Sequence, residues 1–281
     1  MEYLHLFKTK TEHDSFYGGN KYKEPWLAYI RDNTLVTGNK SYEYYRNEYF
    51  TLSVMENGEI TITIPSKVNS TYASYLSYSK DKSDWTETVV DSTDQTITIL
   101  VSTGDKVYLQ GNALRWAITP GPPSSASINS TANIIASGNI MSLLYGEEFK
   151  DKTAFPNEAG FVFYELFKNN THLINAENLI LPATTLTQYC YYGMFQGCSS
   201  LTTAPTLPAT KLASNCYSSM FYGCSKLNNI TMLATNISAS YCLYNWVSDV
   251  APTGTFTKAA SMTSLTRGAS GIPSGWTVVD K

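Results

Sequence analysis

The residues best able to bind a metal or attack a substrate are five cysteines and three histidines, and their spacing favours neither role. Cys190 and Cys198 are too far apart for a disulfide on one predicted helix, and the cysteine count is odd. Zinc ligands usually come in close pairs, but His5, His13 and His172 lie outside the cysteine-containing segment. We therefore expect reduced, buried thiols, with no metal and no cofactor.

Catalytic signatures are also missing from the sequence. It contains no G-x-S-x-G elbow, no H-E-x-x-H motif, no phosphate-binding loop and no C-x-x-C pair. A glycosidase carboxylate pair leaves no sequence mark, but Asp249 and Asp280 are the only acids after residue 178. Glu147 and Glu148 are adjacent, as is typical of a solvated turn. The sequence therefore predicts that the protein is not an enzyme.

Charge and hydropathy exclude two further classes. A net charge of −3 with 15% charged residues lacks the basic surplus that nucleic-acid binding requires. No apolar run is long enough to cross a bilayer, so we expect no membrane span. The start at Met1 has no basic and apolar leader, which favours a protein made in the cytosol unless a leader has been removed.

An internal repeat must position most of the cysteines. Leu181-Pro182-Ala183-Thr184 recurs at 207–210 and, weakened, at 233–235, which gives a period of 26 residues. Within one repeat, apolar residues at every fourth position from Leu186 to Cys198 predict a short helix, with a stop at Gly197. An extended segment follows the helix. One helix and one strand in each repeat predict stacked leucine-rich repeats that form a solenoid.

The repeat resembles a known family. The segment LPATTLTQYCYYGMFQGCSSLTTAP at 181–205 is similar to the BspA-like leucine-rich repeats of Bacteroidota surface proteins and of phages that infect those bacteria. The resemblance covers about 160–281, including a closing segment at 271–278 that is similar to a C-terminal cap. It implies a surface-displayed binding module without catalysis.

The preceding region has a different pattern. Segments at 49–54, 58–64, 75–79, 96–101 and 106–109 alternate apolar and polar residues, which predicts strands of a β-sandwich, immunoglobulin-like or jelly-roll. The predicted fold class is thus mixed: this sandwich, then a short leucine-rich-repeat α/β solenoid with a C-terminal cap. The predicted domains are an N-terminal arm or extra β layer (1–46), the sandwich (47–146), a linker (147–160) and the solenoid (161–281), capped from about 250.

Tyrosine supplies the candidate binding residues. The chain has 21 tyrosines, and several crowd the predicted helical side of the repeats. Tyrosine suits binding surfaces because it combines contact area with a hydroxyl at low entropic cost. The alternative is that most of these rings only pack against one another. We select Tyr222, Tyr192 and Tyr244 as binding residues, with Tyr222 facing water.

These observations predict a non-enzymatic structural or display protein whose repeats mediate surface binding. The favoured setting is a bacteriophage virion, as a fibre, tail or capsid-decorating protein. A bacterial cell-surface adhesin is the first alternative, and a carbohydrate-binding module or glycan-active enzyme that uses Trp26, Trp85 or Trp116 is the second. The expected partners are other virion proteins or a bacterial surface protein or glycan, and self-association is left open.

Overall fold

The computed structural model describes residues 28–31, 34–37, 42–64, 74–90, 94–111, 126–156 and 160–281. Over these residues the chain is mostly β-sheet. The strands are β1 Ala28–Arg31, β2 Thr34–Thr37, β3 Phe50–Val54, β4 Gly58–Ile64, β5 Ser74–Ser79, β6 Thr86–Val90, β7 Gln95–Val101, β8 Lys106–Gly111, β9 Ser127–Ser130, β10 Ile134–Asn139, β11 Leu173–Asn175, β12 Leu179–Ile180, β13 Asn229–Met232, β14 Thr255–Lys258 and β15 Thr277–Asp280. The helices are α1 Tyr42–Arg46, α2 Ser142–Tyr145 and a 3-10 helix at Gly146–Glu148. Most of the predicted arm at 1–46 lies outside the described residues.

Strands β3 to β12 form two sheets. The larger has the order β11-β10-β3-β8-β5-β6, with β12 also paired to β10, and the smaller has the order β7-β4-β9. Strand β10 pairs antiparallel with β3 but parallel with β11 and β12. The larger sheet therefore joins strands that precede the repeats to strands within them. A separate antiparallel pair is formed by β1 and β2.

Alternating side chains explain the strands of both sheets. In β4, Ile60, Ile62 and Ile64 are buried, while Thr61 and Thr63 are half-buried. Branched side chains of this kind suit a pleated surface with one face in the core. The five strands predicted between residues 49 and 109 are confirmed as β3, β4, β5, β7 and β8.

The two parts of the chain share one apolar core. The Phe50 ring of β3 meets the Phe167 ring edge-on, with 6.1 Å between centroids. The Ile128 N–H of β9 donates to the Leu166 carbonyl at 2.7 Å. Packing and backbone hydrogen bonds therefore both cross from the sheets to the repeats.

The repeats contribute ribbons of consecutive turns. We name them ribbon 1 (161–169), ribbon 2 (189–197), ribbon 3 (215–223) and ribbon 4 (241–249). Within ribbon 2, the Tyr192 N–H donates to the Tyr189 carbonyl, three residues back. The next N–H, that of Gly193, donates instead to the Ser218 carbonyl of ribbon 3. Neighbouring ribbons are therefore joined by backbone hydrogen bonds, as the strands of a sheet are.

The ribbons depend on left-handed backbone conformations. In ribbon 2, Tyr189, Gly193 and Gly197 have φ values of 58°, 55° and 74°. Glycine adopts this conformation readily, whereas a residue with a Cβ is destabilised by about 1–2 kcal/mol. Because Tyr189 is one of several non-glycine residues in this state, packing between repeats must offset the local preference.

The predicted fold class, a β-sandwich followed by an α/β solenoid, is wrong. The regular secondary structure of the described residues is mostly strand with little helix, and 160–281 contain no α-helix. Apolar residues at every fourth position also fit a ribbon in which residues face the core in pairs. Cys190 and Tyr191 are buried, Tyr192 is half-buried, and Met194 and Phe195 are buried again.

The sandwich types named from the sequence are corrected as well. Immunoglobulin-like and jelly-roll sandwiches are built from antiparallel strands. Here β10 has parallel neighbours, β11 and β12, so the larger sheet is mixed and continues into the repeats. The predicted domain boundaries stay a prediction.

All five cysteines are free and buried. The Cys198 Sγ donates to the Phe167 carbonyl at 3.0 Å, and the Cys224 Sγ donates to the Phe195 carbonyl at 3.0 Å. Each of these thiols therefore links its repeat to the preceding ribbon. Burial raises the pKa of the Cys190 thiol to about 12, which keeps it protonated at neutral pH.

The C-terminal residues close the stack of ribbons. Strands β13, β14 and β15 form a parallel sheet in sequence order. The Trp246 indole N–H donates to the Gly271 carbonyl at 2.8 Å, and that of Trp276 donates to the Ala251 carbonyl at 2.7 Å. Arg267 donates from one nitrogen to three backbone carbonyls nearby. These bonds satisfy buried polar groups and fix the last ribbon.

Candidate functional site: a tyrosine face on the ribbons

Aromatic side chains occupy two outward-facing positions of the ribbons. Backbone hydrogen bonds from one ribbon to the next fix which residues are equivalent. The first position holds Phe161, Tyr189, Asn215 and Tyr241 in ribbons 1 to 4, and the second holds Tyr164, Tyr192, Ser218 and Tyr244. We call the six aromatic residues of this set the tyrosine face.

Ribbons 1 and 2 carry stacked rings. Phe161 and Tyr189 lie 4.7 Å apart at 10°, and Tyr164 and Tyr192 lie 4.7 Å apart at 4°. This distance matches the usual spacing of hydrogen-bonded strands, so the backbone sets the stacking distance. Each stacked pair contributes about 0.5–1.5 kcal/mol beyond the area it buries.

Ribbon 4 presents the most accessible rings. Tyr241 is 67% exposed and Tyr244 is 52% exposed. Their rings meet edge-on with 5.9 Å between centroids, so each limits the rotation of the other. Restrained rings with open surface lose little entropy when a partner covers them.

Ribbon 3 has small polar residues, not aromatic ones, at the two positions of the tyrosine face. Asn215 and Ser218 stand where the other ribbons have aromatic residues. Ser218 is buried, and its Oγ donates to the Tyr244 carbonyl at 3.2 Å. The tyrosine face therefore consists of a stacked group on ribbons 1 and 2 and a second group on ribbon 4.

The three tyrosines selected from the sequence occupy different surroundings. Tyr192 is half-buried in the stacked group, and Tyr244 is exposed on ribbon 4. Tyr222 is 40% exposed but occupies a third outward position, where ribbons 2 and 4 have Gln196 and Ser248. The structure thus places Tyr192 and Tyr244 on the tyrosine face and Tyr222 beside it.

Sequence reasoning did not select four members of the face as binding residues: Phe161, Tyr164, Tyr189 and Tyr241. Tyr164 could be aligned with Tyr192 from the sequence, because residues 164–167 match 192–195 at an offset of 28 residues. The sequence does not predict which aromatic residues face solvent, since Tyr191, next to Tyr192, is buried. Buried and outward-facing tyrosines can be told apart only from the ribbon structure, in which residues face the core in pairs.

The face is almost free of charge. Ribbons 2 and 3 contain no Asp, Glu, Lys or Arg. In ribbon 1, Glu165 and Lys168 form an ion pair at 2.8 Å. Burial, followed by the Glu165 charge, raises the pKa of Tyr164 to about 12, so its hydroxyl stays neutral. The surface therefore offers neutral rings and hydroxyl groups.

Of the three tryptophans named for a sugar platform, Trp85 lies within the described residues and is half-buried. The Trp85 indole N–H donates to the Lys82 carbonyl at 3.1 Å, and its ring packs edge-on against Tyr49 at 5.1 Å. Trp26 and Trp116 lie outside the described residues. Within the described ranges, no group of three His, Cys, Asp or Glu residues is placed to hold a metal ion.

No family model, curated protein or solved structure matches the chain. In the part of the chain that the structure describes, no helix has the length and apolar character needed to cross a membrane.

Proposed function

We propose that the protein is a non-enzymatic display protein that binds a partner through the tyrosine face. The observation that carries the proposal is the pair of exposed, mutually restrained rings of Tyr241 and Tyr244 beside a stacked aromatic group. Aromatic residues in rigid surroundings are the commonest hot spots of protein interfaces. A neutral surface with hydroxyl groups suits a protein loop or an uncharged glycan.

The proposed setting is a bacteriophage virion, where the protein serves as a fibre, tail or capsid-decorating component. The resemblance of 181–205 to BspA-like repeats supports display on a surface and is shared by the alternative, a bacterial adhesin. Mass spectrometry of purified virions and of cell envelopes separates the two settings. Detection in envelopes and not in virions would reject the virion.

The binding role is tested by removing the exposed rings. The double variant Tyr241→Ala/Tyr244→Ala should lower the affinity of labelled protein for bacterial cells by at least about thirtyfold, because even one hot-spot ring contributes roughly 2 kcal/mol. Leu100 is 71% exposed on β7, away from the ribbons, so Leu100→Ala is the matched control. Equal binding by the double variant and the control would exclude the tyrosine face.

A further inference from the structure

We infer that a pocket between α1 and the β12 segment binds a single neutral pyranose unit, as a site separate from the tyrosine face. The pocket has a volume of about 240 Å³. It is lined by Tyr45 of α1, the segment Glu177 to Leu181, Thr206 and Pro208. Its size suits one sugar ring rather than a longer ligand.

The two walls of the pocket are held by the same strand. The Asn139 side-chain amide of β10 donates to the Arg46 carbonyl at 2.9 Å, which fixes the end of α1 next to Tyr45. The Gly138 N–H of β10 donates to the Asn178 carbonyl at 3.0 Å, and β12 pairs with β10 immediately after it. Because both walls are bonded to β10, the pocket is preformed and needs little ordering to bind.

The floor of the pocket is apolar. Leu179, Ile180 and Leu181 form its base and are almost fully buried, so the half-buried rings of Tyr45 and Pro208 supply the accessible apolar surface. The C–H groups on one face of a pyranose pack well on such a surface. Burial of that face supplies binding free energy without a charged partner.

Polar side chains surround this floor. Tyr45 and Asn178 are half-buried and Glu177 and Thr206 are exposed, so the hydroxyl, amide and carboxylate groups of these lining residues are accessible to a ligand. Burial, followed by the Glu177 charge, raises the pKa of Tyr45, so these two residues lie close together. Convergent donors and acceptors above an apolar floor are what a polyhydroxylated ring requires.

The charge of the lining limits the ligand class. Among the described residues that line the pocket, Glu177 is the charged one, and none is Lys or Arg. An uronic acid or a phosphorylated sugar would place a second negative charge beside this carboxylate without a cation to offset it. The hydroxyl groups of a neutral sugar instead donate hydrogen bonds to the carboxylate.

The test uses the full chain and a panel of methyl pyranosides of glucose, galactose and mannose, with glucuronate as the anionic comparison. Saturation-transfer NMR and titration calorimetry should show saturable binding of at least one neutral pyranoside in the millimolar range, and weaker binding of glucuronate. Glu177→Gln should weaken that binding by about tenfold, because a charge-assisted hydrogen bond is lost. Thr206→Ala should weaken it several-fold.

The matched control is Glu87→Gln, which makes the same substitution at an exposed carboxylate on β6, outside the pocket, and should leave binding unchanged. Absence of saturable binding by every neutral pyranoside would overturn the inference. So would binding that Glu177→Gln leaves intact. If the double variant Tyr241→Ala/Tyr244→Ala removes pyranoside binding and Glu177→Gln does not, sugar recognition belongs to the tyrosine face.

Discussion

Backbone hydrogen bonds join neighbouring segments in both the sheets and the ribbons, yet the pattern of exposed side chains along the chain differs between them. In β4, every second residue faces the core, as Ile60 and Ile62 show. In ribbon 2, residues face the core in pairs, so that Tyr191 is buried and Tyr192 reaches solvent. Two core-facing residues thus lie between the outward residues Tyr189 and Tyr192, whose rings are 5.9 Å apart, and the same positions of neighbouring ribbons group aromatic side chains on one surface.

The ribbons rely more on contacts between repeats than the sheets do. Phe195 stacks between Phe167 and Phe221, with 5.5 Å to each ring. Non-glycine residues such as Tyr189 hold left-handed conformations that are unfavourable in an isolated segment. A single repeat lacks these stacking partners, so its ribbon is stabilised only within the assembled core.

Charge also separates the two regions. The sheets carry surface ion pairs such as Lys80 with Asp105 at 2.7 Å and Lys82 with Glu48 at 2.7 Å. Exposed pairs of this kind contribute little to stability but keep a surface soluble and repel unsuitable partners. Ribbons 2 and 3 lack such charges, and this leaves a neutral surface for contact.

The largest expected difference between the regions is a loss of stability in alkali that arises in the repeats, which hold every cysteine of the chain. In the unfolded chain a thiol ionises near its ordinary pKa of 9, whereas burial raises the pKa of Cys190 to about 12. The unfolded state then binds fewer protons, so the free energy of unfolding falls as pH rises from about 9 towards 12. At pH 10 the loss should be about 1.4 kcal/mol for each thiol that stays protonated when folded.

Urea unfolding at pH 7.5, 9 and 10 measures this loss. The variant Cys190→Ala should be less stable than the parent at pH 7.5, because a buried group is removed. Its further loss up to pH 10 should be smaller than the parent's by about 1.4 kcal/mol. Parallel pH profiles for the two proteins would show that Cys190 ionises freely in the folded state.

Two glycines give the next comparison. Gly138 in β10 has φ 77°, and a Cβ there would lie 1.9 Å from the Tyr49 carbonyl oxygen. Gly223 in ribbon 3 has φ 75°, but the nearest atom to its Cβ would be 3.7 Å away. Gly138→Ala should therefore lower the free energy of unfolding by at least about 3 kcal/mol, and Gly223→Ala by about 1 kcal/mol, from backbone strain alone.

Thermal and urea unfolding of the two alanine variants checks this order. A loss for Gly223→Ala as large as that for Gly138→Ala would mean that the ribbon is packed as tightly there as the sheet. A loss near zero would mean that the left-handed conformation at residue 223 is not required.

Sequence patterns predicted the sheets better than the ribbons for a physical reason. Alternation with period two, as in Gly58–Ile64, has few structural explanations besides a half-buried strand. Spacing by four, as in Leu186 to Cys198, fits both a helix and a ribbon of turns. What separates them is the partner of every second N–H, such as that of Gly193, which lies in another repeat and leaves no local mark.

The site could be predicted only in part. The sequence allowed the choice of Tyr192, Tyr222 and Tyr244, because each occupies a defined position of the 26-residue repeat. Tyr45 and Glu177 line one pocket but come from distant parts of the chain, brought together by β10. Nothing in their local sequence indicates that proximity, so the pocket depends on the tertiary structure alone.

The smallest expected effect concerns two tyrosine hydroxyls, one in each region. The Tyr191 hydroxyl is buried and has no hydrogen-bond partner among the described residues, whereas the Tyr49 hydroxyl donates to Glu147 at 2.9 Å. An unsatisfied buried hydroxyl destabilises the folded state, so Tyr191→Phe should raise the free energy of unfolding by about 1 kcal/mol. Tyr49→Phe removes a hydrogen bond and should lower it by a similar amount. Urea unfolding at neutral pH measures both changes. A loss of stability in Tyr191→Phe would show that the Tyr191 hydroxyl is hydrogen-bonded in solution. The buried polar groups of the ribbons would then be hydrogen-bonded as fully as those of the sheets.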